Sequence, residues 1–201
     1  MTEKRSDQTR AAILQAARER FGSHGYDRTT IRAVAAAAEI DPAMVMRYFG
    51  SKEQLFDAAL AVDLHLPDLS GVAPEDVPRL VVRLFLDRWE SDPADDALLV
   101  LLRSAVTNER AAARMREVFA AQVAPALAAA LGRDVPAHRA ALVSAQLLGL
   151  ALTRYLLRLP PVAALTPQEV EDALGPAIRA TLGLEGLEPS PDDAPARAGG
   201  G

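Results

Sequence analysis

Two arginines carry the clearest chemical potential in this chain, Arg32 and Arg47, each set in a stretch dominated by alanine and other apolar side chains. A guanidinium is a fixed fork of donors that bonds bidentately to guanine O6 and N7 in the DNA major groove, or to a phosphate. The plainer reading is a solvated helix residue, and the elements that hold the two arginines decide between them. Rival chemistries find little support. There is no cysteine, so disulfide and thiolate chemistry are excluded. The histidines, His24, His65 and His138, are far apart and lack ligand spacing, which predicts no metal site and no cofactor. No GxGxxG, Walker, HExxH or nucleophile motif occurs, so enzymatic turnover is not expected.

Residues 29–52, TTIRAVAAAAEIDPAMVMRYFGSK, read as two short helices joined by a tight turn and followed by the start of a third. Ile31, Val34, Ala35 and Ala38 fall on one helical stripe, and Thr29 or Thr30 can cap that helix. Asp41–Pro42 marks a new N-terminus, with Asp as cap and Pro at the first position. Val45 and Phe49 give the second helix its apolar side, and Ala35 lets the two helices approach closely. The pattern is a helix-turn-helix, whose second helix enters the major groove. Ser51 and Gln54 then make an S-x-x-Q capping box. Upstream, Ile13, Ala17 and Phe21 share one helix face that ends near Gly22–Tyr26.

Together, the ILQAARERFGSHGYDRTT segment, the Val34–Ala35 pair, the turn, and YFGSKEQLF resemble the TetR (tetracycline-repressor) family of transcriptional regulators, of actinobacterial type. The match runs from about Arg10 to Leu60. The resemblance implies an all-α fold: a three-helix helix-turn-helix head over residues 1–52 and a larger helical effector-binding and dimerisation body over 53–185. It also implies that Thr30, Arg32, Pro42, Ala43, Met44, Arg47, Tyr48 and Lys52 face DNA. Lys52 and Tyr48 would anchor phosphates, and Pro42, Ala43 and Met44 would meet thymine methyls. The chain departs from the family at Glu39, where a turn glycine is usual, and at Met46, which replaces a phosphate-contacting Tyr. A left-handed Glu39 would cost about 1–2 kcal/mol relative to Gly.

Composition agrees with a helical chain. Half of the residues are hydrophobic but aromatics are only 4%, so the core must come from Ala, Leu and Val, which favours helices over strands. The net charge of −5 is unevenly spread. Residues 1–55 hold nine Lys/Arg against seven Asp/Glu, and the remainder thirteen against twenty, so a more basic head sits on an acidic body. The N-terminus is polar, without a secretory signal. The charge-free run 140–153 is fourteen residues, short of a membrane span. A cytoplasmic protein with no membrane partner is expected.

Beyond a helix at Lys52–Leu64, the proline-rich HLPDLSGVAPEDVP breaks the pattern. Helices follow at about 75–91, 95–107, 109–131, 137–158 and 167–182. They are separated by Ser91–Asp92–Pro93, Thr107–Asn108, Gly132–Pro136 and Pro160–Pro161. Pro125 should kink its helix, and Thr166-Pro167-Gln168-Glu169 is a clear helix start. Residues 186–201 read as a disordered tail.

In the body, Phe85 and Trp89 lie one turn apart. Core packing is the default reading. The resemblance implies an apolar cavity for a small effector, which would make Phe85, Trp89, Arg103 and Phe119 candidate lining residues, although Arg103 could instead pair with Asp87 or Glu117. Ala141, Ala145, Gly149 and Thr153 form a small-residue stripe, with Leu142, Leu148, Leu152, Leu156 and Leu159 assigned to the opposite side. A helix apolar nearly all round needs cover on both sides. Together with Val170, Leu174 and Ile178, this predicts an intersubunit four-helix bundle in a homodimer. The expected function is a DNA-binding regulator on a palindromic operator, a repressor released by a small ligand. The alternative is a helical ligand-binding or scaffold protein with a weakened DNA head.

Overall fold

The structure, a computed structural model, describes residues 2–90, 97–132 and 135–185, with side chains from Ser6 onward. The breaker at 91–93 and the tail at 186–201 lie outside the described residues. Every element among them is helical: α1 (Thr2–Arg28), α2 (Ile31–Ala37), α3 (Pro42–Phe49), α4 (Lys52–Ala59), α5 (Val77–Glu90), α6 (Ala97–Ala105), α7 (Glu109–Val118), α8 (Ala124–Leu131), α9 (Ala137–Ala151), α10 (Pro160–Ala163) and α11 (Pro167–Leu182). Two π-helical turns, Phe119–Val123 and Leu152–Leu156, follow α7 and α9 without a break. No helix among the described residues is long and apolar enough to cross a membrane.

The described residues form two compact units, one within 1–64 and 92–119 and the other within 65–91 and 120–201. In the first, α1 packs on α2, α4 and α6, while α7 covers α4 and α6. Ile13, Ala17, Phe21, Val34, Ala35, Val45, Leu55, Phe56 and Ala59 are its buried core. The ring of Phe56 meets Phe21 and Tyr26 edge-on, each at 4.8 Å between centroids. This division differs from a head ending at residue 52. The reason is packing: the buried face of α4 is completed by α1 and α7, and Asp57 on α4 accepts from Arg110 on α7 at 2.7 Å.

In the second unit α11 packs on α5 and α9, and α8 also lies against α9. Its core includes Val82, Leu86, Leu127, Val143, Leu150, Val170, Ile178 and Leu182. Glu171, almost fully buried on α11, accepts two bonds from Arg83 of α5, at 3.1 and 3.0 Å. A buried carboxylate needs such a partner, since an unpaired charge there would be strongly unfavourable.

Helix ends agree with the sequence in some places and depart from it in others. Helix α11 spans 167–182 as expected, with Thr166 and Glu169 closing a full capping box. Helix α4 stops at Ala59 rather than Leu64, and Val62 is buried from the irregular segment that follows. Pro125 does disturb its helix: the π-helical turn directly precedes it, where the ladder must absorb a missing donor. Pro160–Pro161 begins the short α10 instead of separating helices, because proline is well suited to the first helical turn.

Candidate DNA-binding site

The helical hairpin is built by short-range bonds. Thr30 Oγ1 accepts from the Ala33 amide at 3.1 Å and caps α2. Thr29 is buried and does not cap; its hydroxyl donates to the Arg20 and Gly25 carbonyls at 3.0 and 2.8 Å. Gly25 interrupts α1 at φ 74°, a conformation that suits a residue without Cβ. After α2, the Ile40 amide donates to Ala35 O at 2.9 Å and the Glu39 amide to Ala36 O at 3.3 Å. This is a Schellman closure with Glu39 as the left-handed residue, φ 55°. The turn therefore forms as a glycine would form it, against the local preference of Glu39. Asp41 then caps α3 by accepting from the Ala43 amide at 2.7 Å, with Pro42 at the first helical position.

Val45 and Phe49 bury one side of α3 and leave the other to solvent. Arg32, Pro42, Ala43 and Arg47 are exposed, as is the capping Thr30, while Met44, Tyr48 and Lys52 are half-buried. Met46 is 43% exposed, an apolar side chain held in water beside the arginine. The Arg47 guanidinium lies 5.9 Å from the Tyr48 ring centroid.

At the start of α4, Ser51 accepts from the Gln54 amide at 3.1 Å. The return bond of a capping box is replaced: the Ser51 amide donates to Phe49 O at 2.9 Å, and the Gln54 side-chain oxygen Oε1 sits 2.3 Å from where a Cβ on Gly50 would be. Lys52 is pre-positioned. Its ammonium lies 4.2 Å from the Tyr26 ring centroid and donates to Asp27 O at 3.4 Å. The Tyr26 hydroxyl donates to Glu53 at 2.8 Å. Bonds from its own amide and from Tyr26 hold the Glu53 carboxyl below its usual range, while burial and Glu53 raise the Tyr26 phenol.

Sequence reasoning missed two further residues of this surface. Ser6 Oγ is 3.1 Å from the Tyr48 hydroxyl, and Arg10 lies over the Phe49 ring at 5.4 Å. Their spacing of one helical turn is the only local signal, and it does not reveal which helix they meet.

The other candidates are spread over both units. Phe85 and Trp89 are half-buried and come together at 5.8 Å between centroids, and Trp89 stacks on Tyr155 at 5.0 Å with planes 1° apart. Sequence alone does not single out Tyr155. Arg103 is exposed on α6 and Phe119 half-buried after α7, both in the first unit. Glu117, a suggested partner of Arg103, pairs with Arg114.

On α9, Ala141, Ala145 and Gly149 are exposed, and Thr153 in the π-helical turn after it is half-buried. Leu142 and Leu152, at 54% and 39% exposure, join them on the open face rather than lying opposite, and no charge interrupts residues 140–153. Val170 and Ile178 correct the expectation for α11. At 1% and 0% exposure they belong to the chain's own core, so a second subunit cannot reach them. Leu174 is half-buried, and beyond its first turn the uncharged residues that α11 leaves open are Ala173, Pro176, Ala177 and Ala180.

Comparison with known proteins places this geometry. The family model described as bacterial regulatory proteins, tetR family, matches residues 13–59, and the tetracyclin repressor-like C-terminal domain matches 75–182, more than half of the chain. An HTH-type transcriptional repressor of Mycobacterium tuberculosis is 36% identical over 83 residues, 41% of this chain and 43% of the relative. The chain thus spans less than half the length of the curated relatives it matches. A solved TetR-family regulator from Streptomyces coelicolor A3 is 30% identical, with a TM-score of 0.56 over 88% of this chain and 96% of its own. NalD, the secondary repressor of the MexAB-OprM multidrug efflux pump in Pseudomonas aeruginosa, shares the fold at 21% identity, with a TM-score of 0.66 over 89% and 98% of the two chains. The chain belongs to the TetR family of bacterial regulatory proteins, a family of DNA-binding transcriptional regulators rather than enzymes.

Proposed function

We propose that the chain is a transcriptional repressor that binds a palindromic operator as a homodimer. The observation that carries the reading is the exposed side of α3 and its neighbours. Exposed Arg32 and Arg47 share the hairpin with apolar Pro42, Ala43 and Met44, Lys52 opens the next helix, and the turn and caps of the hairpin are intact. Arg32 and Arg47 read base edges, while Tyr48 and Lys52 hold phosphates. The intact turn at Glu39 also argues against a decayed head.

For the dimer, the support is an uncharged open face on two helices that pack together: Ala141, Leu142, Ala145 and Gly149 on α9 and Leu152 just after it, with Ala173, Ala177 and Ala180 on α11. An exposed leucine among small residues is what a symmetric partner helix would cover. Selection of bound fragments from random DNA by the full chain tests the proposal. The expected product is an inverted repeat, with half-sites about 34–36 Å apart or a multiple of that. Recovery of unrelated fragments would reject it.

A small apolar effector is a second part of the proposal, supported by the half-buried cluster of Phe85, Trp89 and Tyr155. Trp89 is the single tryptophan, so its emission reports on that cluster alone. A flat aromatic ligand that releases the operator should quench it. Release without any change in emission would place the effector elsewhere.

A further inference from the structure

We propose that Ser6 is a positioning residue for the DNA contact: its hydroxyl donates to Tyr48 and so frees the phenol hydrogen for a DNA phosphate. The inference rests on the reading of Tyr48 as a phosphate anchor.

Ser6 lies in the second turn of α1 and Tyr48 in the last turn of α3, 42 residues apart, with their oxygens at 3.1 Å and either able to donate. One turn further along α1, Arg10 rests on the ring of Phe49. Two successive turns of α1 thus grip two successive residues at the end of α3. Three serine and threonine hydroxyls among the described residues bond back to their own helical run: Ser23 to Glu19 O, Thr153 to Gly149 O and Thr181 to Ala177 O. Ser6 reaches across to the reading helix.

The direction of the bond is what matters. A phenol has one hydrogen. If Tyr48 gave it to Ser6, the phenol could only accept, and it would meet a phosphate oxygen lone pair to lone pair. A phosphate oxygen is itself only an acceptor, so DNA fixes the order: Ser6 donates to Tyr48, and Tyr48 donates to phosphate. Donation from Ser6 also polarises the phenol and strengthens its own bond, the cooperative effect of a hydrogen-bond chain. The serine need not touch DNA to do this.

A double-variant cycle in the full chain tests it, with affinity for the selected inverted repeat read by fluorescence anisotropy. Tyr48→Phe is expected to lower affinity about three- to tenfold, the range of one net hydrogen bond. Ser6→Ala should lower it by a similar or smaller factor, and Ser6→Thr should restore it. The double variant should bind no more weakly than Tyr48→Phe. Alanine is a good helix former, so the unfolding midpoint should not fall. On repeats carrying one methylphosphonate at a time, the Ser6→Ala loss should vanish at the position where the Tyr48→Phe loss vanishes. Multiplying effects in the double variant, or wild-type affinity of Ser6→Ala beside a weakened Tyr48→Phe, would overturn the role of Ser6 and leave the phosphate anchor standing. Wild-type affinity of Tyr48→Phe would overturn both.

Discussion

The helix ends of the hairpin and the ion pairs of the second unit work on different length scales. Around α2 and α3, helix ends are settled by near neighbours: Thr30 with Ala33, Glu39 with Ala36, Asp41 with Ala43 and Ser51 with Gln54. In the second unit the decisive bonds join distant segments. Arg83 reaches Glu171 across 88 positions, Arg179 reaches the Glu75 carbonyl across 104, and Arg154 reaches Glu90 across 64. Arg154 is the centre of that unit. Its side chain is 10% exposed, and it donates to Glu90 and to the carbonyls of Val162 and Leu165. Tyr155 donates to the same Glu90 oxygen at 2.9 Å. Burial works against the charge of Arg154, but its bonding to Glu90 and Tyr155 outweighs it and holds the guanidinium charged. A head built of several small local terms can lose one of them. A body built around one hub cannot.

The sharpest way to break that contrast is Arg154→Met. It leaves two carbonyls and a carboxylate short of donors, and should cost about 2–4 kcal/mol in chemical denaturation. Thr30→Ala removes one local cap and should cost about 1 kcal/mol. If the two losses prove equal, the hub is not a hub.

Next in size is Gly149→Leu. Where its Cβ would point, no atom lies within 4 Å, and replacing a helical glycine favours the isolated helix by about 0.8–1 kcal/mol. An overpacked dimer seam would cost about 1–3 kcal/mol, imposed twice by the two-fold axis. Sedimentation should therefore show dissociation of a well-folded protein, with weaker operator binding. A variant that stays dimeric at wild-type affinity moves the seam off α9.

The smallest effect is expected at Glu39→Gly. Relief of the left-handed conformation gains about 1–2 kcal/mol, and the greater freedom of glycine in the unfolded chain takes back about 0.5–1 kcal/mol. A modest rise in the unfolding midpoint of the head should follow. A fall would mean that the Glu39 side chain contributes more than its backbone strain costs.

Legibility in the sequence follows the same division of length scales. The caps, the buried faces of α1, α2 and α3, and both ends of α11 can be read from residues three or four apart. Helix α4 reads too long in the sequence because Ala61–Leu64 contains no stop signal, and Val62 leaves the helix to reach the core. The π-helical turn at Leu152–Leu156, which precedes Leu157 bonding back to Leu152 at 2.8 Å, has no local signature. It is what carries Arg154 and Tyr155 to Glu90. Likewise, α11 offers two uncharged faces, and nothing local tells that Val170 and Ile178 face inward while Ala173 and Ala177 face out. Ser6 escapes a local reading for the same reason, since its partner lies 42 positions away.

The central claim is that the exposed arginines of the hairpin read bases while Lys52 only anchors. Affinities of the full chain, as wild type, Arg32→Ala, Arg47→Ala and Lys52→Ala, for the selected repeat and for each of its single-base-pair variants test it most directly. Each arginine variant is predicted to lose discrimination of about 1–3 kcal/mol at particular base pairs. Lys52→Ala should weaken binding evenly across all sequences and lower the salt dependence by about one counterion. Unchanged base preference in both arginine variants would contradict the claim.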